Sequence, residues 1–280
     1  MKKISVLVLA AGMVCQLLAA ERVYYVDCKL ADYTGHDGSS PEKALKTIQQ
    51  GIDKIPSGGA GTVYVASGVY DEGFGRTSEH WWWASRILIR GKSVALKSLE
   101  GAEKTHIVGQ WDGGGKGFGD GAARCVCVEN EDAHTVVIQG FTLRDGATRD
   151  VSGKPSSRGG ALIASTDGSN TKLNTYLVDC VISNCIGSSS QLTHGGVLVR
   201  CRIENNRFVR PDNNNLNNGV GQIHLFVGTR LMNCLFRRNK AIDPATGEKT
   251  SDTIYVPKDI RLVNCTFADN ASGYWTHSTS

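Results

Sequence analysis

The chain has 280 residues, 40% of them hydrophobic and 21% charged, which is enough for one large domain or two small ones. Its formal net charge is +4, and it falls to +2 without Lys2 and Lys3. A charge this small does not favour binding to nucleic acid. Glycine (33 residues) far outnumbers proline (6 residues), which favours a chain rich in turns and strands over a helical one.

The first twenty residues have the order of a secretory signal peptide. Lys2 and Lys3 form a basic start, residues 4–20 are apolar, and small residues precede a polar pair. The apolar run is short for a membrane-spanning helix, which needs about 20 apolar residues, and no second run follows in the sequence. A short N-terminal helix of the folded domain is the alternative. We predict cleavage near Ala20, a mature domain over 21–280, and a secreted or cell-surface location.

One amphipathic helix is predicted near the start of the mature chain. Thr47 with Gln50 three residues later is a capping-box pattern. The apolar residues fall on one face of the predicted helix: Leu45, Ile48, Ile52 and Ile55. Such a face can cover the open end of a stack of strands, so we predict an N-terminal cap over about 21–60.

Short runs of alternating apolar and polar residues follow the helix, with the period of two that strands show. Glycine, asparagine and aspartate, which favour turns, separate many of them. The runs occupy residues 62–66, 86–90, 125–129, 161–165, 222–227 and 253–257. The sequence therefore predicts a chain built mainly of short strands.

The second half of the chain contains four copies of one pattern. It reads Leu, then Val or Met, any residue, Cys, any residue, Ile or Phe, two further residues and Asn, with Cys185 replacing the asparagine in the first copy. The copies begin at Leu177, Leu198, Leu231 and Leu262. A weaker copy lies upstream, with Phe141 at the cysteine position and Gly146 at the asparagine position.

The distance between copies varies while the strand pattern stays constant. The cysteines of successive copies lie 21, 33 and 31 residues apart. Within each copy alternate residues are apolar, as in a strand with one buried face, and no helical period fits. Constant strands joined by loops of different length are typical of a solenoid, in which each repeat forms one coil of a β-helix.

Two parts of the sequence resemble a known superfamily. Residues 37–53 and 61–73, "DGSSPEKALKTIQQGID" and "GTVYVASGVYDEG", resemble the N-terminal cap and first coil of secreted right-handed parallel β-helix proteins, the pectate-lyase-like superfamily. The later units "GFTLRDG", "GGALIAS" and "NC-x-F-x-x-N" resemble coils of bacterial β-helix repeat proteins in that group. The resemblance covers essentially the whole mature chain. It implies an all-β fold, a right-handed parallel β-helix solenoid with a short N-terminal capping α-helix, here of about six coils.

The cysteines admit three interpretations. Eight remain once Cys15 leaves with the signal peptide, and an even number in an exported protein is typical of a disulfide framework. The repeat register favours instead an inward ladder of small apolar side chains, formed by Cys180, Cys201, Cys234 and Cys265. Disulfides between adjacent coils and a metal site are the alternatives. Cys125 and Cys127 also keep strand alternation, so we expect both thiols to face inward.

Three asparagines follow the repeat strands at a constant offset, where the chain must turn: Asn206, Asn239 and Asn270. Asparagine tolerates left-handed backbone and bonds neighbouring backbone groups with its amide. We expect these amides to form hydrogen bonds from coil to coil, which satisfies groups that would otherwise be buried without partners.

Because the coil walls are structural, chemistry is expected in the loops. The insertion over 144–160 is rich in charge, and its candidate catalytic residues are Arg149, Asp150, Lys154 and Arg158. Elimination from a uronic-acid polymer needs a cation to neutralise the substrate carboxylate and a basic side chain to remove the α-proton. The loop carboxylates could hold Ca²⁺; no other cofactor or metal site is predicted. A solvated loop of mixed charge is the alternative.

Aromatic and histidine residues supply the candidate sugar-binding positions. These are His80, Trp81, Trp82 and Trp83, in which three consecutive indoles cannot all face the interior, and His194 and His224, which flank the amide-rich stretch 205–219. Exposed indole faces stack on sugar rings. The alternatives are that the tryptophans cover the cap and that the amide-rich stretch is a long turn.

The members of the superfamily include polysaccharide lyases, glycoside hydrolases and surface adhesins, so the resemblance leaves activity open. No catalytic signature of a particular lyase family is matched. The sequence predicts an extracellular protein that binds a polysaccharide, and if it is an enzyme, a polysaccharide lyase or glycoside hydrolase. The alternative is a non-catalytic, adhesin-like solenoid. The last coil lacks a capping helix, so we expect either a fragment of a longer protein or association through that end.

Overall fold

A computed structural model describes residues 22–73, 84–114, 117–130, 133–149, 159–164, 174–188, 192–209, 222–224, 226–227, 230–242, 253–256, 261–270 and 274–276. It contains a short 3₁₀ turn (Pro41–Lys43) and a helix (Ile48–Asp53). The strands of the first half are β1 (Val23–Val26), β2 (Ala60–Val65), β3 (Gly68–Tyr70), β4 (Ser85–Arg90), β5 (Ser93–Ser98), β6 (Thr105–Val108), β7 (Arg124–Glu129), β8 (Val136–Gln139) and β9 (Thr142–Arg144).

The strands continue in the same short lengths to the C-terminal end. They are β10 (Leu162–Ala164), β11 (Thr175–Val178), β12 (Val181–Ser183), β13 (Ile186–Ser188), β14 (Thr193–His194), β15 (Val197–Val199), β16 (Arg202–Glu204), β17 (Arg207–Val209), β18 (Gln222–His224), β19 (Phe226–Val227), β20 (Arg230–Met232), β21 (Leu235–Arg237), β22 (Lys240–Ile242), β23 (Thr253–Val256), β24 (Arg261–Val263), β25 (Thr266–Ala268) and β26 (Tyr274–Thr276).

These strands form three main sheets. Sheet A has the order β1-β2-β5-β8-β11-β15-β20-β24, sheet B the order β3-β6-β9-β12-β16-β21-β25, and sheet C the order β4-β7-β10-β14-β19, with two further sheets of three strands. Named strand pairs are parallel throughout the described residues. The chain visits the sheets in turn, and such parallel crossovers are right-handed in nearly all proteins. The chain is a right-handed parallel β-helix, as predicted.

In the described residues, seven successive coils each contribute one strand to sheet A and the next strand to sheet B. The sequence predicts about six coils. Their register confirms the repeat alignment, including the weaker copy: Thr142 pairs with Val181, which puts Phe141 opposite Cys180. Inward side chains stack in columns along the axis. The column of sheet A is Val63, Leu96, Ile138, Leu177, Leu198, Leu231 and Leu262.

The predicted helix caps the first coil. Thr47 and Gln50 form the expected capping box, and the apolar face packs into the main core. Gln49 adds a contact that the pattern did not predict: its side chain donates to the Leu88 carbonyl (3.0 Å) and accepts from the Leu88 N–H (2.8 Å). The amide thus pairs with the free edge of β4 as a neighbouring strand would.

The eight described cysteines are free, and the predicted inward ladder is confirmed. Each thiol of the ladder lies against the carbonyl groups of its own or the preceding coil; Cys201, for example, donates to Leu177 (3.4 Å) and Val199 (3.5 Å). The expectation for Cys127 is wrong. Its neighbours Val126 and Val128 face the main core, whereas Cys127 packs with Ile163 on the opposite face of sheet C, which is buried on both sides.

The asparagine ladder is also confirmed. The Asn239 oxygen accepts from the Asn206 backbone (3.1 Å) and side chain (3.0 Å), and the Asn239 amide donates to the Ile203 carbonyl and to Asn270 (both 2.9 Å). The left-handed backbone falls one residue earlier than predicted. Asn205 takes φ 58°, as do its equivalents in the other coils with similar values, because the turn is made immediately before the ladder residue.

The remaining predictions about the chain's ends stay predictions. Residues 1–21 lie outside the described residues, so cleavage near Ala20 is untested. No helix in the described part of the chain is long and apolar enough to span a membrane.

Candidate functional site

The predicted catalytic residues are only partly within the described structure. Asp150, Lys154 and Arg158 lie outside it, and their roles stay predictions. Arg149 is half-buried, and its guanidinium forms an ion pair with Asp120 (2.7 Å). Asp120 belongs to the glycine-rich stretch 112–121, which carries no nucleotide-binding spacing but lies directly beside the start of the 144–160 insertion.

Backbone hydrogen bonds join these two loops. Gly109 donates to the Arg144 carbonyl (2.9 Å), and Gly119 donates to the Thr148 carbonyl (3.3 Å). Both loops leave sheet B at the same corner of successive coils. The insertion that the sequence singles out is therefore one half of a double loop at this corner.

The predicted sugar-binding residues are placed as follows. His80 and Trp81, Trp82 and Trp83 lie outside the described residues. His194 lies in β14, pairs with Ile163 of β10, and is 1% exposed. His224 lies in β18, which belongs to a different sheet from β14. Their roles in binding stay predictions.

A tryptophan that the sequence did not single out lies at the double loop. Trp111 packs with Phe118 against a small apolar cluster of Ala122, Ala147 and Ile186. The Arg207 guanidinium lies over its ring, 4.7 Å from the centroid, a distance typical of a cation–π contact. The corner therefore combines two aromatic rings, Trp111 and Phe118, with an arginine contributed by a later coil.

The outer face of sheet B carries a connected set of polar side chains in the described residues. Ile107, Leu143 and Ile203 of its strands face the interior, so the residues on either side of each face outward. We call the following residues the charged face: Glu103, His106, Arg144, Asp145, Asn184, Arg202, Glu204 and Arg237. The charged face extends from β6 to β21 along the axis. The sequence repeat could have predicted this face, because the residues on either side of the inward Ile or Phe of each copy point outward.

Each arginine of the charged face contacts an acid. Arg237 pairs with Glu204 (2.6 Å), and Arg144 pairs with Asp145 while donating to the His106 ring (3.1 Å). Asp145 in turn accepts from the Asn184 amide at 2.5 Å.

The third ion pair joins distant coils. Arg202 of β16 forms an ion pair with Glu103, which lies two residues before the start of β6. With three arginines and three carboxylates, the charged face is close to electrically neutral when His106 is neutral.

A small cleft of about 80 Å³ lies at the N-terminal end of the solenoid. Lys46, Glu72, Tyr70, Cys28 and Arg86 are among its lining residues. The Glu72 carboxylate accepts from Lys46 at 2.7 Å and raises the pKa of that ammonium, and burial raises the pKa of the Tyr70 phenol. Residues 69–72 and 86–87, which lie before and after residues 74–83 in the chain, also line this cleft.

The sequence predicts that the carboxylates of the 144–160 insertion could hold Ca²⁺. Asp145 contacts Arg144 and Asn184, and Asp120 of the neighbouring loop contacts Arg149. No group of three or more histidine, cysteine or carboxylate side chains in the described residues is arranged to hold a metal ion. Asp150, the other carboxylate of the insertion, lies outside the described residues, so a Ca²⁺ site in this loop stays a prediction.

Comparisons with known proteins do not establish a function for this chain. No protein-family model and no curated protein matches the sequence. Among solved structures, a pectin methylesterase from carrot is similar at 14% identity over 92% of this chain and 88% of that one, with a TM-score of 0.37.

Two further solved structures are similar at the same low level. One is ORF18 of Geobacillus virus E2, at 14% identity over 95% of this chain and 63% of that one, TM-score 0.29. The other is a GH136 lacto-N-biosidase from Eubacterium ramulus, at 8% identity over 93% of this chain and 69% of that one, TM-score 0.25. The fold rests on the sheets described above.

Proposed function

We propose that the protein is a secreted β-helix protein that binds an extracellular polysaccharide along the charged face. The observation that supports this is the continuity of the face: hydrogen-bonding side chains project from successive coils over β6 to β21. Coils repeat about every 4.8 Å, so the face offers an extended polymer a regular series of partners on rigid strands.

The charge balance of the face favours binding over elimination. A lyase needs uncompensated positive charge against the substrate carboxylate. Here Arg144, Arg202 and Arg237 each already contact a carboxylate. A neutral glycan, whose hydroxyls both donate and accept hydrogen bonds, matches this mixed surface better than a polyanion does. We therefore propose a binding protein for a neutral or weakly charged glycan.

A glycan screen with the full chain tests this proposal. Neutral glycans, pectate and alginate are offered with and without Ca²⁺, binding is measured by calorimetry, and absorbance near 235 nm reports unsaturated product. We expect binding of a neutral glycan with no rise in absorbance. An absorbance rise would replace the proposal with a lyase, and the absence of all binding would favour an adhesin-like spacer.

Substitutions then locate the binding surface. Arg144→Ala and Arg237→Ala each remove charged hydrogen-bond donors, and each should weaken binding about tenfold. Lys97→Ala is the matched control, because Lys97 is a partly exposed cation on the outer face of sheet A, in register with Tyr64. Equal loss in all three variants would place the binding surface elsewhere.

A further inference from the structure

The cysteine ladder ends at a pair of thiols that differ in exposure. Cys234 is buried, whereas Cys265 is only partly buried against the same core. Met232 pairs with Val263 and Leu235 pairs with Thr266, so the two cysteines occupy the same position in neighbouring coils. Their side chains therefore point in the same direction from strands one coil apart, a spacing of about 4.8 Å. One thiol of the pair can therefore be approached from solvent.

The spacing of the coils argues against a disulfide between them. Residues in register on parallel strands lie about 4.8 Å apart, and their side chains point in the same direction. A disulfide needs Cβ atoms about 3.8 Å apart and a dihedral angle near 90° about the sulfur–sulfur bond. Closing the bond would pull the coils together or twist them, which the hydrogen-bonded strands on both sides of the cysteines resist.

The same spacing suits an ion held between two sulfurs. A metal–thiolate bond is about 2.3 Å long, so a linear two-coordinate ion separates its sulfurs by about 4.6 Å. Thiolates select soft ions such as Cu(I). The pair belongs to the same apolar core as Leu231, Leu262, Phe236 and Phe267, which disfavours a strongly hydrated ion.

We propose that Cys234 and Cys265 form a binding site for a soft, two-coordinate metal ion, Cu(I). On binding, the S–H bond of one cysteine breaks and its proton passes to the buffer. The resulting thiolate forms one metal–sulfur bond, and the neighbouring sulfur donates a lone pair for the second. A monovalent ion then replaces one proton, so the apolar interior gains no net charge. No oxidation or reduction occurs.

A Cu(I) titration of the reduced full chain without oxygen tests the site. A chromogenic Cu(I) chelator competes for the ion, and sulfur coordination is measured at the copper X-ray absorption edge. We expect one Cu(I) with two sulfurs at about 2.3 Å. Cys265→Ser should weaken this affinity at least tenfold. Cys28→Ser is the matched control, because Cys28 is also partly exposed but lies outside the ladder, and it should leave the affinity unchanged.

A second measurement uses the unaltered chain and does not depend on how the variants fold. The rate at which iodoacetamide alkylates Cys265 should fall at least tenfold when Cu(I) is added, while the rate at Cys28 should not change. Unaltered alkylation of Cys265, or loss of Cu(I) binding in Cys28→Ser alone, would overturn the proposal. So would a Cys234–Cys265 disulfide mapped by mass spectrometry after exposure to air.

Discussion

At the scale of single residues, the asparagine ladder shows how one side chain can serve two coils. Asn239 is buried, its oxygen accepts two hydrogen bonds from Asn206, and its amide donates toward Ile203 and Asn270. Without it, backbone groups at the turn would be buried without partners, and each such group costs about 1–3 kcal/mol. The ladder therefore stabilises the stacking of turns as well as the turn itself.

Replacing Asn239 should destabilise the protein strongly. We expect Asn239→Ala to lower the free energy of unfolding by about 3 kcal/mol, because it removes the acceptor of the Asn206 backbone and side-chain N–H groups and the donors to Ile203 and Asn270. Urea unfolding followed by circular dichroism measures the change.

Asn264→Gly is the control for this prediction. Asn264 has φ 50°, which glycine also adopts, and its exposed amide contacts only Asn233 in the described residues (2.8 Å). This variant should lose less than about 1 kcal/mol. A similar loss in both variants would show that the ladder does not carry the stability assigned to it.

At the scale of elements, the N-terminal helix closes the open end of the solenoid in two ways. Its apolar face covers the first coil, and Gln49 occupies both backbone groups of Leu88 at the edge of β4. An edge strand with free backbone groups is a template for pairing with another chain. The helix therefore protects against association as well as covering the core.

Gln49→Leu separates these two effects, because it keeps an apolar cover but leaves the Leu88 N–H and carbonyl without the side-chain amide. We expect a loss of about 2 kcal/mol in unfolding free energy and concentration-dependent association in analytical ultracentrifugation. Gln50→Ala, which removes only the capping-box contact to Thr47, should lose about 1 kcal/mol and stay unassociated. Association of both variants would contradict the role given to Gln49.

At the scale of the whole molecule, neighbouring coils approach each other closely at the corner after sheet B. Gly109 of one coil lies against Gly146 of the next, and Gly160 lies at the other end of the insertion in that same coil. A Cβ atom on Gly160 would overlap the Ile186 carbonyl of the following coil. Backbone lies against backbone, so no flexible side chain can move aside. Only glycine fits at these positions, and this close contact keeps neighbouring coils in register beside the charged face.

Gly160→Ala should therefore lower the unfolding free energy by about 3 kcal/mol, since coil stacking must shift to admit the methyl group. Thermal and urea unfolding measure the loss. Gly113→Ala is its counterpart at an open position with nothing within 4 Å, and it should change stability by less than about 0.5 kcal/mol. Equal stability of the two variants would show that the corner is not tightly packed.

The sequence predicts those parts of the molecule that depend on a local pattern repeated in register. The inward columns, the cysteine and asparagine ladders and the capping box follow from residues close together in the chain. Cys127 was misplaced because β7 is buried on both faces, which alternation alone does not reveal. The Trp111–Arg207 contact joins residues 96 positions apart, so it required the pairing of coils before it could be found.

The unequal repeat lengths have a mechanical consequence. Each coil is held mainly by its neighbour, so a chain pulled from its C-terminal side would give way one coil at a time. Equivalent cysteines lie 31, 33 and 21 residues apart in that order. At about 3.4 Å per residue, the steps of extension would be about 105, 110 and 70 Å. The lengths of the loops between equivalent strands thus determine the order of long and short steps in the force–extension curve.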